Sequence, residues 1–288
     1  MRDMTDEQLL VREDGGVAWL TLNRPDAANA LTPDQRDELV DRLDEAGERV
    51  EVRAVVLTAT GRHFCTGADL RANQGPSGPL RSSKSGKHVP GPVRPDGAPE
   101  RVVGDVARML AGGAQRLIAA IADCDKPVIA AVNGTAAGIG AHMALACDLV
   151  LAVEEARFIE VFVRRGLVPD GGGAWLLPRL VGLSKAKELM FFGDDLGAAE
   201  AERLGLVNRV VPAASLEKVA TEWAGRLAAG PTRSIGLTKR LLNRSLESDR
   251  ATAFREEALA QELNMTTHDA NEGVAAFVER RDPAFRGW

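Results

Sequence analysis

The 288-residue chain has no tyrosine, and its aromatic content is only 4%. Without tyrosine there is no Tyr–Lys pair of the kind short-chain dehydrogenases use to move a proton. Three cysteines (Cys65, Cys124 and Cys147) are too few, and too apolar in setting, for a disulfide framework. Each reads as a small buried hydrophobe. Four histidines, none beside another, give no zinc-ligand spacing. No apolar run reaches the roughly 18–20 residues that span a bilayer. The polar opening MRDMTDEQLLVRED lacks the apolar centre of a secretory signal. A net charge of −5 leaves no basic surface for nucleic-acid phosphates. These absences together predict a cytoplasmic protein without a metal, a membrane or a nucleic-acid partner.

What is present is a sizeable supply of core. The chain is 45% hydrophobic and long enough for one large or two ordinary domains. VAWLTLNRPDAANAL reads as a strand followed by a turn, RAVVLTAT as the next strand, KPVIAAVNG as a short buried strand and LVLAVEEARF as a strand and turn. LTPDQRDELVDRLDEAGER opens a helix in which Thr32 caps, Pro33 takes the first helical position and Gln35 completes a capping box. Leu39, Leu43 and Ala46 share one face of it. VVGDVARMLAGGAQRLIAAIADCD is helical apart from its glycine pair, GAHMALACD is helical, and SKAKELMFFG ends at Gly193. Strand–helix units alternate first and helices dominate later, the pattern of an α/β core with a helical C-terminal part.

Two glycine-rich turns carry the chemistry. In VIAAVNGTAAGIGAHMALACD a strand runs into Gly134, Gly138 and Gly140 and then a helix. One meaning is a dinucleotide phosphate turn. Its mid-chain position and the lack of tyrosine weigh against that. The other meaning involves a second turn, HFCTGADL, which also follows a strand. Two such turns, each offering a backbone N–H among small residues, can hold one oxygen that becomes negative during a reaction.

Six segments then resemble, in this order, the enoyl-CoA hydratase/isomerase (crotonase) family. They are LTLNRPDAANAL, FCTGADL, KPVIAAVNGTAAGIGAHMALACDL, RFIEVFVRRGLVPDGGGAWLLPRLVG, AERLGLVNRVV and GVAAFVERRDPAF, spread from about Leu20 to Phe285. The resemblance implies an α/β fold, a crotonase-like spiral of ββα repeats. It divides the chain into a spiral core over residues 1–210, with a loop insert at 71–100, and a C-terminal helical trimerisation region at 211–288. It implies an acyl-CoA thioester as substrate, with coenzyme A as part of that substrate and no other cofactor. It also implies a homotrimer, or a hexamer made of two trimers.

The resemblance places site residues as well. The oxyanion-hole N–H groups fall at Ala68 and Ile139, where Ile139 replaces a common glycine and its side chain narrows or redirects the approach. Arg24, Ala27, Ala28, Ala68, Asp69, Leu70 and Arg71 match coenzyme A positions. Phe277 and Arg280 match positions that cover coenzyme A from a neighbouring subunit. The paired glutamates of hydratases fall at His142 and Phe162, so both carboxylates are missing. Glu160 is two residues from the matching place and reads as structural. Asp170 matches an aspartate frequent in isomerases; either it caps the following helix or it is a base, in an apolar pocket of Phe162, Trp175 and Ile139 that raises its pKa. His142 is either a satisfied core residue or a second base.

These residues favour double-bond isomerisation, with hydration by His142 and Asp170, hydrolytic or retro-Claisen C–C cleavage, and non-catalytic acyl-CoA binding as alternatives. The 71–100 insert is rich in Pro, Gly and Ser and reads as a long mobile loop. Its Arg71, Arg81, Lys84, Lys87 and Arg94 suit coenzyme A phosphates.

Overall fold

The computed structural model describes residues 7–70, 97, 99 and 102–288. Apart from Gly97 and Pro99, the 71–100 insert lies outside the described residues, and with it Arg71 and the expected contacts to phosphate.

Strands β1 (Leu9–Asp14) and β2 (Val17–Leu22) form a hairpin ahead of α1 (Pro33–Glu48). Thr32 caps α1 as expected, its hydroxyl accepting the Gln35 N–H at 3.1 Å. The reciprocal half of the capping box is not made. The Gln35 side chain instead donates to the Gln8 carbonyl at 2.6 Å, which ties α1 to the edge of the sheet.

Next come β3 (Ala54–Ala59), β4 (His63–Cys65), α2 (Asp105–Gly112) and α3 (Ala114–Ala122), the two helices parting at Gly113. Then β5 (Val128–Val132), β6 (Thr135–Ala137) and α4 (Ile139–Ala146) follow without a long loop. The third repeat is β7 (Leu149–Val153), β8 (Arg157–Ile159) and α5 (Gly173–Phe192). Helix α5 kinks at Gly182 and stops at Gly193, which adopts the left-handed conformation that favours glycine. After β9 (Asp195–Gly197), α6 (Ala198–Arg203) and β10 (Arg209–Val211) the chain is helical: α7 (Leu216–Ala229), α8 (Thr232–Ser245), α9 (Arg250–Met265) and α10 (His268–Glu279).

Each repeat thus adds one long strand to a six-stranded sheet, ordered β1-β2-β3-β5-β7-β10, and one three-residue strand to a second sheet, ordered β4-β6-β8-β9. All neighbours are parallel except the terminal pairs β1/β2 and β8/β9. This is the spiral of ββα repeats expected from the sequence. The middle of the first sheet is buried on both faces, so β3 and β5 read as largely apolar runs, whereas the edge strand β1 is mostly exposed. The cysteines lie in this interior as unpaired, buried thiols, and burial pushes Cys65 up to about 11.

Helix α7 packs back on the first sheet through Ala220, Ala224 and Ala228, so physically it completes the core. Helix α8 is pinned to that core by buried Lys239, which donates to Asp148 at 2.8 Å and to the Ile121 carbonyl at 3.1 Å. The C-terminal tail is held by buried Asp269, which accepts the N–H groups of Arg286 and Gly287, both at 2.7 Å. None of the described helices is long and apolar enough to cross a membrane.

Candidate active site

The second, short-stranded sheet brings the two glycine-rich turns together. Strands β4 and β6 are parallel, with Cys65 beside Ala136. Ala68 and Ile139 each follow their paired residue by three positions, so both turns leave the sheet at the same level. The glycines of the second turn make this possible. A methyl group on Gly134 would collide with the Arg62 carbonyl, and one on Gly140 with the Cys65 carbonyl. The space that a phosphate turn would offer a ligand is therefore filled by the backbone of residues 62–65.

Gly67 gives its carbonyl to the Leu31 N–H (2.8 Å) and Asp69 gives its N–H to the Leu31 carbonyl (2.9 Å). Between them Ala68 is exposed, and its N–H has no hydrogen-bond partner among the described residues. Ile139 is the first residue of α4, where backbone N–H groups lack an intrahelical acceptor. Its side chain is turned against Gly171, within 3.5–3.6 Å of where a methyl group there would sit.

Beyond Ile139 on the same helix stands His142, 0% exposed. Three elements enclose its ring. Glu160, at the end of β8, meets Nε2 with its carboxylate at 3.0 Å and is itself only 6% exposed. Phe162 stacks on the ring, with centroids 5.3 Å apart and planes 14° apart. The 171–173 turn closes the rest: a methyl on Gly173 would collide with Nε2, and one on Gly171 would lie 3.1 Å from Nδ1. Nδ1 is buried and has no hydrogen-bond partner among the described residues.

Asp170 opens this turn, half-buried. Burial raises its carboxyl above the ordinary carboxylate range, and the nearby His142 ring opposes part of that rise. Asp170 does not cap α5. The N-cap is Gly172, with no side-chain cap bond. The aspartate is thus left without the structural duty that would otherwise explain it.

Trp175 does not join this group. Its indole N–H donates to Glu247 at 2.8 Å, its ring takes the Arg179 guanidinium 4.4 Å from the centroid, and it is 39% exposed. One turn into α5, position 175 points outward, away from the face that carries Gly173 and buried Leu176. Phe162 stacks on His142 and Ile139 lies against Gly171, and Trp175 takes part in neither contact.

Arg24 is also committed. Its guanidinium pairs with Asp69 at 2.9 Å and donates to the Ala30 carbonyl, in a half-buried position. The N–H groups of Ala27 and Ala28 close the same turn onto Arg24 and Pro25. Beneath it Asn29 is fully buried. It accepts the Arg24 N–H (2.8 Å) and donates to the carbonyls of Thr60 (2.8 Å) and His63 (2.7 Å). This turn therefore braces the segment that presents Ala68. Leu70 is exposed beside it. Phe277, 85% exposed, and Arg280, which ends α10, lie far along the chain on the C-terminal helices.

Glu160 is the residue that sequence reasoning leaves out of the site. Position 160 lies between a three-residue strand and a single helical turn, so neither periodicity fixes its direction. The available signal is His142 itself: a histidine inside an all-apolar helix needs a buried partner.

Over residues 12–86 and 105–287 the chain matches the sequence profile described as enoyl-CoA hydratase/isomerase. It is 36% identical, over 282 residues, to the 1,2-epoxyphenylacetyl-CoA isomerase of Escherichia coli (strain K12), covering 98% of this chain and 99% of that one. It is 33% identical, over 274 residues, to the short-chain-enoyl-CoA hydratase of Clostridium acetobutylicum, covering 95% of each. The crystal structure of enoyl-CoA hydratase from Bacillus anthracis matches with a TM-score of 0.84 at 31% identity, over 98% of this chain and 100% of that one.

Proposed function

Since the chain belongs to the enoyl-CoA hydratase/isomerase family, we propose that it shifts the double bond of an enoyl-CoA thioester, with Asp170 as the base. The observation that carries this reading is the distribution of carboxylates. Glu160 is committed to His142, so Asp170 is the acidic group left beside the ring, and burial holds its pKa up. A single carboxylate can take a proton from one carbon and return it to another. Hydration is better served by two carboxylates that position a water and shuttle its proton.

In this reading the thioester carbonyl of a 3-enoyl-CoA accepts from the Ala68 and Ile139 N–H groups. Asp170 removes a proton from C2, and the electron pair moves onto the carbonyl oxygen as an enolate conjugated with the C3–C4 double bond. The two N–H donors and the positive end of α4 hold that charge. Asp170 then returns the proton to C4, leaving the conjugated 2-enoyl thioester. No group beyond this chain and the substrate's own coenzyme A is needed. The 24–30 turn and Leu70 border the coenzyme A path, and exposed Phe277 and Arg280 suit a role across a trimer contact.

Hydration is the second reading, favoured by one observation: buried, unpartnered Nδ1 of His142 beside Asp170 is a place to hold a water. Product mass separates the two. Incubation with a 3-enoyl-CoA is expected to give a thioester of unchanged mass. Incubation with a 2-enoyl-CoA that yields chiefly the product heavier by one water would replace isomerisation with hydration.

A further inference from the structure

Glu160 sits where a structural salt bridge would need nothing more, yet the ring it touches is only half satisfied. The carboxylate is nearly buried, and the walls around it are mostly apolar: Leu145, Phe158, Leu177, Leu189 and Leu196 line the same small cleft, with Asp194 as its one other charged residue. A carboxylate in such surroundings requires a donor, and the one it meets is Nε2 of His142 at 3.0 Å. A carboxylate accepts and cannot donate, so the Nε2 that meets it carries a proton, and an uncharged ring has no second one. The lone pair then falls on Nδ1, the buried nitrogen without a partner, which faces Gly171 next to Asp170. The Phe162 stack and the glycines at 171 and 173 leave the ring no room to turn over.

We infer that Glu160 is a positioning residue that fixes the His142 tautomer, so that Nδ1 stands as the hydrogen-bond acceptor for the protonated Asp170 carboxyl. This rests on the isomerase reading. Once Asp170 has taken the C2 proton, its carboxyl, which makes no hydrogen bond to Nδ1 in this structure, turns its new O–H toward that nitrogen. The proton is held on that oxygen, oriented and available for C4: the C2–H bond breaks as the Asp170 O–H forms, and the O–H breaks as the C4–H forms, while the double bond moves from C3–C4 to C2–C3. An acid left unheld would lose that orientation.

The test combines a spectroscopic readout with kinetics. Protein labelled with 15N-histidine, with His142→Gln used to assign the signal, is expected to show the proton on Nε2 and a bare Nδ1. A wild-type protein with the proton on Nδ1 overturns the proposal, whether or not any variant folds. Glu160→Leu is expected to lower kcat about 10-fold or more with KM changed less than about twofold, and Glu160→Gln, whose amide oxygen still accepts from Nε2–H, to retain more activity than the leucine variant. A folded Glu160→Leu protein with wild-type kcat overturns it too. Because the tautomer is read without turnover, an enzyme that hydrates instead of isomerising refutes the function proposed above and leaves the tautomer result to be judged separately.

Discussion

At the residue scale the account turns on Asp170. Its pKa is raised by burial, so the folded state binds this proton more readily than the unfolded chain does. Stability should therefore fall as pH rises through the titration of this group, and Asp170→Asn should stabilise the protein at pH 7, the gain disappearing as pH is lowered until aspartate is protonated in both states. Denaturant midpoints of both proteins across the acidic range check this. The same shift places the acidic limb of kcat/KM above the 3.8 of an unperturbed aspartate, because the base must be ionised to accept a proton. A second residue-scale expectation concerns Gly173, whose missing side chain makes room for the His142 ring. Gly173→Ala should cost about 1–3 kcal/mol of unfolding free energy and lower kcat with it, measured by denaturation and steady-state assay. Asp170 and His142 stand out in the sequence as candidates because each falls at a motif position with small neighbours. Glu160 does not, because the bend that turns 160 and 162 onto one ring belongs to neither helical nor strand periodicity. The outward direction of Trp175 was hidden for a similar reason: it depends on where α5 starts, and GLVPDGGGAW does not mark that point.

At the level of elements, the long strands and the capped helix α1 follow from local pattern, whereas the second sheet does not. Its strands have three residues each, too few for alternation to show. What specifies them is contact between backbones, which appears in the sequence only as glycine at 134 and 140. Those two contacts carry the geometry of the candidate site, since they set Ala68 and Ile139 level. The brace beneath Ala68 is comparably exacting. Asn29→Ala removes three hydrogen bonds to or from a fully buried side chain, at a residue with φ of +53°. A loss of about 3 kcal/mol is expected, with a larger rise in KM for the thioester than Thr32→Ala produces. Thr32→Ala removes the α1 cap and an exposed hydroxyl bond to the Gln8 side chain, 3.1 Å each, and should cost about 1 kcal/mol. Equal effects of the two on KM would show that the 24–30 turn does not shape the substrate path.

For the whole molecule, the interior is closed but the C-terminal helices are not. Leu242, Phe254, Leu259, Leu263 and Phe277 all lie exposed on α8, α9 and α10, as does Leu246 just past the end of α8, and no residue of α9 is buried. So much apolar surface on elements anchored by Lys239 and Asp269 suits an interface between copies of the chain. Sedimentation is expected to give a trimer or a hexamer, and Leu259→Glu combined with Leu263→Glu to release smaller species. A wild-type protein that sediments as a monomer at micromolar concentration would remove this proposal, and with it any place for Phe277 and Arg280 in a neighbour's site. The helical C-terminal region was legible from its periodicity. That α7 closes the core before the outer helices begin was not, because its alanine-lined face looks the same whether it meets a sheet or another subunit.

The most direct measurement is the ultraviolet absorbance of the conjugated thioester formed from a 3-enoyl-CoA, followed for the wild-type enzyme and for Asp170→Asn. The wild type is expected to generate the 2-enoyl absorbance. The variant is expected to bind the thioester as tightly yet show turnover reduced at least about 100-fold. Wild-type formation of the conjugated product that persists in Asp170→Asn would show that another group is the base and would contradict the mechanism built on this aspartate.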